Sequence, residues 1–208
     1  MFDVDGTLIE SYDFDENCYI DAIFEVLGHH IDSDWEQYEH TSDAGILNQH
    51  IQKKGLLNDK YIIHRKVKNA FVKNIGHYLS QNTIKPIRGA SEFLDQLRNI
   101  DNVTVSIATG GWRETALLKL EAAGLDVRGF PIASSDDHFS RTEIMKIALQ
   151  KSGVSNNHSF TYFGDASWDK RACELLEFNF ILVGNRIEHY QSIKDFTDKK
   201  KIYRFIGL

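Results

Sequence analysis

Apolar residues recur every three to four positions through the N-terminal third of the chain, once the first dozen residues are past. CYIDAIFEVLG, which ends at Gly28, has one helical face made of Ile20, Ile23, Phe24 and Leu27. DAGILNQHIQKKG repeats this pattern up to Gly55 with Ile46, Leu47, His50 and Ile51, and DKYIIHRKVKNAFVKNIGHYL predicts a third helix. No strand pattern interrupts these segments, so the sequence predicts a small all-helical unit over residues 13–83.

From Pro86 onward, amphipathic helices alternate with short apolar runs. The runs are typical of buried strands because they are continuous and rich in β-branched or aromatic residues: VTVSIATGG, FPIASS, SFTYFGDAS and NFILVGN. Helical patterns precede, separate or follow them: IRGASEFLDQLRNI, WRETALLKLEAAGL, RTEIMKIALQKSG and WDKRACELLEF. Strands that alternate with helices predict βαβ units and a parallel sheet.

The segment MFDVD supplies one more strand, ahead of the helical unit. We therefore predict an α/β fold: a Rossmann-like parallel sheet flanked by helices, formed by residues 1–12 and 84–208, with an inserted all-helical cap domain at 13–83. Strands usually run for about five residues, and only Met1 and Phe2 precede Asp3. We accordingly expect the natural protein to carry further apolar residues upstream of Met1.

Composition narrows the range of partners and compartments. The chain has 24 basic and 30 acidic residues, a net charge of -6, and no basic block suited to a nucleic-acid backbone. No apolar run approaches the length that spans a membrane. The two cysteines, Cys18 and Cys173, have neither disulfide-framework nor metal-ligand spacing, which favours a reducing compartment. We expect a cytoplasmic monomer or homodimer that binds neither nucleic acid nor membrane.

Carboxylates stand at the ends of the predicted strands, where ligands bind in sheets of this kind. Asp3 and Asp5 end the first strand, Asp165 follows YFG, and Asp169 comes four residues later. Carboxylates that converge repel one another unless a cation lies between them. Mg²⁺ suits this arrangement, because it prefers carboxylate oxygens, waters and a substrate phosphate as ligands.

Groups that can bind phosphate accompany these carboxylates. Thr109 offers a hydroxyl, and the Gly110 amide can approach an anion without a side chain in the way. Arg141, at the start of a predicted helix, supplies a fixed positive charge. Together these residues predict phosphoryl transfer, in which one carboxylate attacks phosphorus and a second one moves protons.

The order and spacing of these motifs resemble those of haloacid dehalogenase superfamily phosphatases with a helical cap inserted after the first strand. Asp3–Leu8 match the first motif, Asp-x-Asp-Gly-Thr-Leu; VSIATGG matches the second at Thr109; and FGDASWD matches the fourth at Asp165 and Asp169. The resemblance covers nearly the whole chain. It implies an aspartyl-phosphate mechanism with Mg²⁺ as cofactor.

The resemblance also implies a role for each matched residue. Asp3 would be the nucleophile and a metal ligand, and Asp5 the acid/base that also gives its backbone carbonyl to the metal. Thr109 would bind the phosphoryl group, Asp165 would be a metal ligand, and Asp169 would either bind the metal or orient a metal-bound water.

The third motif departs from the family, which usually has a lysine just before a helix. Here Arg141 stands in that place, followed by Thr142 where a proline often occurs. Lys146, further along the same helix, and Lys119 are less favoured candidates. Arginine keeps the charge without being interchangeable with lysine, so the departure puts geometry and rate in question more than reaction class.

These observations predict a Mg²⁺-dependent phosphomonoesterase that acts on a small phosphorylated metabolite. One alternative is a phosphomutase of the β-phosphoglucomutase type, which shares the cap and the motifs. Another is a non-catalytic phosphate-binding module. A phosphonate hydrolase would need a cap lysine for a Schiff base, for which Lys53 and Lys54 are the candidates.

Several residues near the predicted site have two interpretations. Aspartates often cap helices and occupy turns, so we expect structural roles for Asp13, Asp15, Asp43 and Asp59. The cap residues that select substrate are not fixed by the sequence, and the candidates include Tyr12, Asp43 and Gln49. Trp112 either contacts substrate or packs beneath the cap.

Overall fold

A computed structural model of the chain describes residues 1–154 and 158–208. It confirms the predicted α/β class, with helices α1 (Tyr12–Leu27), α2 (Asp43–Lys53), α3 (Lys60–Gln81), α4 (Ala90–Arg98), α5 (Arg113–Ala122), α6 (Arg141–Ser152), α7 (Ser167–Leu176) and α8 (Lys199–Ile206). The strands are β1 (Ile107–Ala108), β2 (Ile132–Ala133), β3 (Thr161–Gly164), β4 (Asn179–Val183) and β5 (Ser192–Ile193). The sequence pattern predicted all of these elements except β5 and α8.

The strands form one parallel arrangement that is joined through Phe2. β1 pairs with β2, and β3, β4 and β5 pair in that order. Phe2 forms parallel bridges to Ile107 and to Phe163, which gives the order β2-β1-Phe2-β3-β4-β5. The predicted first strand is thus reduced to a bridge, and the chain turns at Gly6, whose φ is +70°.

Aromatic packing holds this short bridge in place. Phe2 stacks on Phe163 with 4.6 Å between ring centroids and 7° between ring planes, and Phe93 and Phe196 pack around them. On the same side, Ile202 of α8 is buried. Large buried rings contribute much of the apolar area of a core, so the residue before Asp3 is firmly anchored.

The N-terminal helices pack against one another, and their buried residues belong to the same apolar cluster as Phe2 and Phe163. α1 packs along α3, and Ile23, Val67 and Phe71 are buried between helices. The predicted apolar face of α2 is buried throughout, whereas Phe24 of α1 is 46% exposed. α1 to α3 span residues 12–81, and the assignment of residues 13–83 to a separate cap domain remains a prediction.

None of the helices in the described ranges combines the length and hydropathy that crossing a lipid bilayer requires. Both cysteines are free thiols.

Candidate active site

The sequence-predicted residues converge where the central strands end. Asp3 follows the Phe2 bridge, Thr109 follows β1 and Asp165 follows β3. A cavity of about 110 Å³ opens there, lined by predicted site residues that include Asp3, Asp5, Thr109, Gly110, Arg141 and Asp165. Asp169 lies beside it and is fully buried. The structure therefore brings together every residue that the motifs single out.

Three buried carboxylates, Asp3, Asp165 and Asp169, form what we call the Asp3 group. One oxygen of each lies within 4.8 Å of the others, which is close enough to share a metal ion. Burial raises the pKa of Asp3 to about 7, although the charge of Arg141 opposes the shift. Burial and the charge of Asp169 raise the pKa of Asp165 well above its usual range. A divalent cation would relieve both the desolvation and the repulsion.

Position 164 requires glycine because it lies against the Asp169 carboxylate. A Cβ atom on Gly164 would lie 2.6 Å from Asp169 Oδ2, so a larger residue would collide with this carboxylate. Asp169 Oδ2 accepts hydrogen bonds from the backbone amides of Asp165 and Ala166, at 3.2 and 3.3 Å. Asp169 thereby caps the first turn of α7. Its other oxygen, Oδ1, is buried, accepts no hydrogen bond and lies 2.9 Å from Arg141 Nη1.

Arg141 contacts two members of the Asp3 group, and Arg186 contacts the third, Asp165. Arg141 Nη1 lies 3.2 Å from Asp3 Oδ2 and 2.9 Å from Asp169 Oδ1, the second contact being an ion pair without hydrogen-bond geometry. A Cβ atom on Gly110 would overlap Arg141 Nη2, so glycine is needed for this approach. Lys146 instead pairs with Glu143 and is half exposed. Of the candidates for the third motif, Arg141 alone contacts Asp3 and Asp169 among the interactions of the described residues.

A second acidic cluster lies on the other side of the cavity. It consists of Asp5, Asp15 and Asp43 with the buried Lys119, and we call it the Lys119 group. Lys119 Nζ donates to Asp5 Oδ1 at 2.6 Å and to Asp15 Oδ1 at 2.5 Å. Asp43 Oδ2 accepts from the Trp112 amide at 2.7 Å. Asp5 and Asp43 both flank Gly111, where a Cβ atom would lie 3.7 and 3.9 Å from their Oδ2 atoms.

Burial and charge shift the pKa values in the Lys119 group. Burial and the charge of Asp5 raise the pKa of Asp15 to about 7. Burial and the charge of Asp15 raise the pKa of Asp43 well above its usual range. Burial lowers the pKa of Lys119, but the charges of Asp15 and Asp5 outweigh this and raise it above the usual range. The Lys119 side chain is consequently an ammonium ion at neutral pH.

Asp15 and Asp43, for which we expect structural roles, both line the cavity, and Asp43 is also one of the cap residues offered as candidates for substrate selection. Helix-cap statistics favoured those roles because both residues stand in the first turn of a helix. The sequence around Lys119 contains a pattern that could have identified it as a site residue. Lys119 follows Thr115 and Ala116 by four and three positions, on the face of α5 that is buried. A lysine on such a face needs a buried partner.

Residues 41–44 connect the helical part of the chain to the strand ends. The Asp43 amide donates to Gly110 O at 2.9 Å, and the Ala44 amide donates to Ser135 Oγ at 2.8 Å. Two further hydrogen bonds run from Ser42 Oγ to Phe139 O at 2.6 Å and from Arg141 Nη2 to Thr41 O at 3.2 Å. This segment closes one side of the cavity.

Of the two interpretations of Trp112, the structure supports packing beneath the helices. Its side chain is 3% exposed and packs against Tyr19 and Phe71. Gln49 accepts a hydrogen bond from the Glu39 amide instead of facing the cavity. The side chain of Tyr12 lies outside the described part of the structure. Lys53 and Lys54, the candidates for a Schiff base, are exposed and do not line the cavity.

Comparison with known proteins agrees with this geometry. The sequence model of the haloacid dehalogenase-like hydrolase family matches residues 1–183. No curated protein sequence matches the chain.

Several solved structures share the fold. CbbY from Rhodobacter sphaeroides in complex with phosphate is 17% identical, with a TM-score of 0.72 over 100% of this chain and 97% of that chain. A β-phosphoglucomutase from Clostridium difficile is 16% identical, with a TM-score of 0.75 over 99% and 95%. A putative phosphoglycolate phosphatase from Lactobacillus plantarum is 19% identical, with a TM-score of 0.61 over 97% of both. At these identities the likeness establishes the fold.

Proposed function

This chain belongs to the haloacid dehalogenase-like hydrolase family, and on that premise we propose that it is a Mg²⁺-dependent phosphomonoesterase that works through an aspartyl-phosphate on Asp3. Its substrate would be a small phosphorylated metabolite, and its setting the cytoplasm, as a monomer or homodimer. One observation carries the proposal: Asp3 lies in a group of converging buried carboxylates, and Asp5 lines the same cavity.

The donor set fits Mg²⁺, because one oxygen from each of three buried carboxylates lies within 4.8 Å of the others. Asp3, Asp165 and Asp169 would hold the ion, together with the backbone carbonyl of Asp5. When bound, Mg²⁺ supplies positive charge that stabilises the transferring phosphoryl group.

The residues of the chain divide the remaining work. The backbone amide of Val4 donates to Asp3 Oδ1 at 2.8 Å, which orients the nucleophile. Arg141 supplies positive charge beside Asp3 Oδ2, and the Thr109 hydroxyl and the Gly110 amide would bind phosphoryl oxygens. Asp5 would protonate the leaving oxygen and then accept a proton from the water that hydrolyses the aspartyl-phosphate.

Hydrolysis of p-nitrophenyl phosphate with Mg²⁺ tests this proposal. We expect turnover by the unmodified protein and a loss of about 10⁴-fold or more in Asp3→Asn, because removing a nucleophile abolishes the covalent route. Asp21→Asn is the matched control, since Asp21 is an exposed aspartate of α1. Full activity of Asp3→Asn would refute the nucleophile assignment. Mg²⁺ binding without turnover of a broad panel of phosphate esters would favour the non-catalytic binding module.

A phosphomutase is the second candidate, supported by the similarity to the β-phosphoglucomutase from Clostridium difficile. Both reactions begin with a phosphorylated aspartate and differ in the acceptor, which is water in one and a sugar hydroxyl in the other. Product analysis after incubation with a hexose phosphate separates them. Free phosphate supports the phosphatase, and an isomerised sugar phosphate supports the mutase.

A further inference from the structure

The two carboxylate oxygens of Asp5 have different surroundings. Oδ1 accepts hydrogen bonds from Lys119 Nζ at 2.6 Å and from Ser11 Oγ at 2.5 Å. Oδ2 lies beside Gly111, at the cavity that Asp5 lines. Two donors on one oxygen fix the rotation of the carboxylate and leave the other oxygen directed at the site.

Lys119 is held rigidly enough for such a role. Its side chain is 1% exposed, and it lies in the middle of α5 on a buried face. Burying an ammonium is costly unless it is paired, and its partners Asp5 and Asp15 come from the first strand end and from α1. Ser11 is buried directly before α1. The position of Asp5 Oδ1 is therefore determined from two sides.

We propose that Lys119 is a positioning residue for proton transfer, which, with Ser11, holds Oδ1 of Asp5 so that Oδ2 exchanges the proton with the leaving oxygen. This inference rests on the proposed phosphatase function. It gives Lys119 a role separate from that of Arg141, which contacts Asp3 and Asp169 instead.

Asp5 gives up a proton in the first step and regains one in the second. In the first, an Asp3 oxygen bonds to phosphorus, the bond from phosphorus to the leaving oxygen breaks, and the proton on Asp5 Oδ2 passes to that oxygen. In the second, water attacks phosphorus, its proton passes to Asp5 Oδ2, and the bond from Asp3 to phosphorus breaks. Asp5 ends as it began, and the products are an alcohol and phosphate.

The need for a proton donor depends on the leaving group, and this gives a sharp readout. A p-nitrophenolate leaves without much protonation, whereas a benzyl alkoxide needs a proton. The ratio kcat/KM reports the phosphorylation step, so we compare it for p-nitrophenyl phosphate and benzyl phosphate. In Lys119→Met we expect a loss of about 10²-fold for benzyl phosphate and of less than about 3-fold for p-nitrophenyl phosphate.

Two further variants complete the experiment. Ser11→Ala removes the other donor to Oδ1, and we expect a smaller loss that again falls mainly on benzyl phosphate. Lys146→Met is the matched control, because Lys146 is half exposed and pairs only with Glu143 among the described ion pairs. It should leave kcat/KM for both esters unchanged. Circular dichroism checks that each variant is folded, and Ser11→Ala decides the question if Lys119→Met is not.

The outcomes separate this inference from the function on which it rests. Equal losses for the two esters would mean that Lys119 and Ser11 only support the fold, and would overturn the inference. Unchanged kinetics of both folded variants would overturn it as well. If the unmodified protein hydrolyses neither ester, the proposed phosphatase function itself fails.

Discussion

The Asp3 group and the Lys119 group use the same residue types in different arrangements. In the Asp3 group, carboxylate oxygens converge within 4.8 Å, and Arg141 contacts two of the three residues. In the Lys119 group, an ammonium lies between Asp5 and Asp15 at hydrogen-bond distance from both. In the Asp3 group, Arg141 and Arg186 leave the carboxylate oxygens converging on one another, whereas in the Lys119 group the ammonium lies between two carboxylates.

This difference shows why carboxylates alone do not identify a metal site. A lysine between two carboxylates satisfies them and keeps them apart, so they act as oriented hydrogen-bond acceptors. An arginine at the edge of three carboxylates leaves their oxygens close together, which favours a divalent ion. We therefore assign metal binding to the Asp3 group and proton transfer to the Lys119 group, and the predictions below test that division.

Among the variants that test this division, Arg141→Met is expected to have the largest effect. Arg141→Met removes the charge beside Asp3, and we expect kcat/KM for p-nitrophenyl phosphate to fall about 10³-fold. Arg141→Lys should recover part of this loss, because it restores charge without the planar fork. Steady-state kinetics measure both. Wild-type activity in Arg141→Met would remove Arg141 from the proposed phosphate site.

Asp165→Asn should separate the two groups by their metal dependence. We expect activity to fall about 10²-fold and the Mg²⁺ concentration for half-maximal activity to rise roughly 10-fold or more, since a charged ligand is lost. Asp43→Asn, in the other group, should leave that Mg²⁺ concentration unchanged. Activity titrated against Mg²⁺ measures both variants, and an equal shift in the two would contradict the division of roles.

The stability of the metal-free protein should fall as the pH rises. Asp3 and Asp15 have a pKa of about 7 in the folded chain, above the ordinary value of about 4 for an unfolded aspartate. Between these values the folded state binds more protons, so the free energy of unfolding decreases with increasing pH. Melting temperatures in EDTA should therefore drop by several degrees from about pH 5 to about pH 8.

Two changes should reduce that pH dependence independently. Mg²⁺ should remove the contribution of Asp3, and Asp15→Asn should remove that of Asp15. Thermal melts over the same pH range, with and without Mg²⁺, measure each contribution. A melting temperature that rises with pH in EDTA would show that these carboxyls are not protonated in the folded state.

The smallest effect concerns the substrate. Asp15, Glu16 and Asp43 line the cavity, while its lining cations among the described residues, Arg141 and Arg186, both contact the Asp3 group. A second negative charge on the substrate would face these carboxylates. Among 2-phosphoglycolate, 2-hydroxyethyl phosphate and O-phosphoethanolamine, we expect kcat/KM to be lowest for 2-phosphoglycolate, by about 10-fold. Preferential turnover of 2-phosphoglycolate would contradict this expectation.

Local patterns predicted most of the fold, and they failed where distant parts of the chain determine the outcome. The helix periods and terminal glycines located α1 to α7, because capping and amphipathicity are local. The apolar run around β1 predicted a longer strand than the observed Ile107–Ala108. The strand ends there because the following residues turn into the site, where the Gly111 amide donates to Thr109 Oγ1. β5 has two residues, too few to give a periodic pattern.

The candidate site divides in the same way. Motifs predicted Asp3, Asp165 and Asp169 as site residues. For Asp165 and Asp169 the motif is local, because Gly164 and the first turn of α7 fix their geometry within a few residues. Lys119 and Asp15 are 104 positions apart, and no local pattern predicts that they are in contact. They meet because α1 packs against α3 and α3 packs against α5.

The hydrogen bonds of residues 41–44 have a kinetic consequence. The cavity of about 110 Å³ is smaller than the pockets that usually enclose ligands, and movement of this segment away from Gly110 and Ser135 would enlarge it. Each hydrogen bond contributes about 1 kcal/mol, and breaking several together makes opening a rare event. Turnover would then be paced by this opening, and kcat should decrease in viscous solvents while phosphorylation within the closed complex keeps its rate.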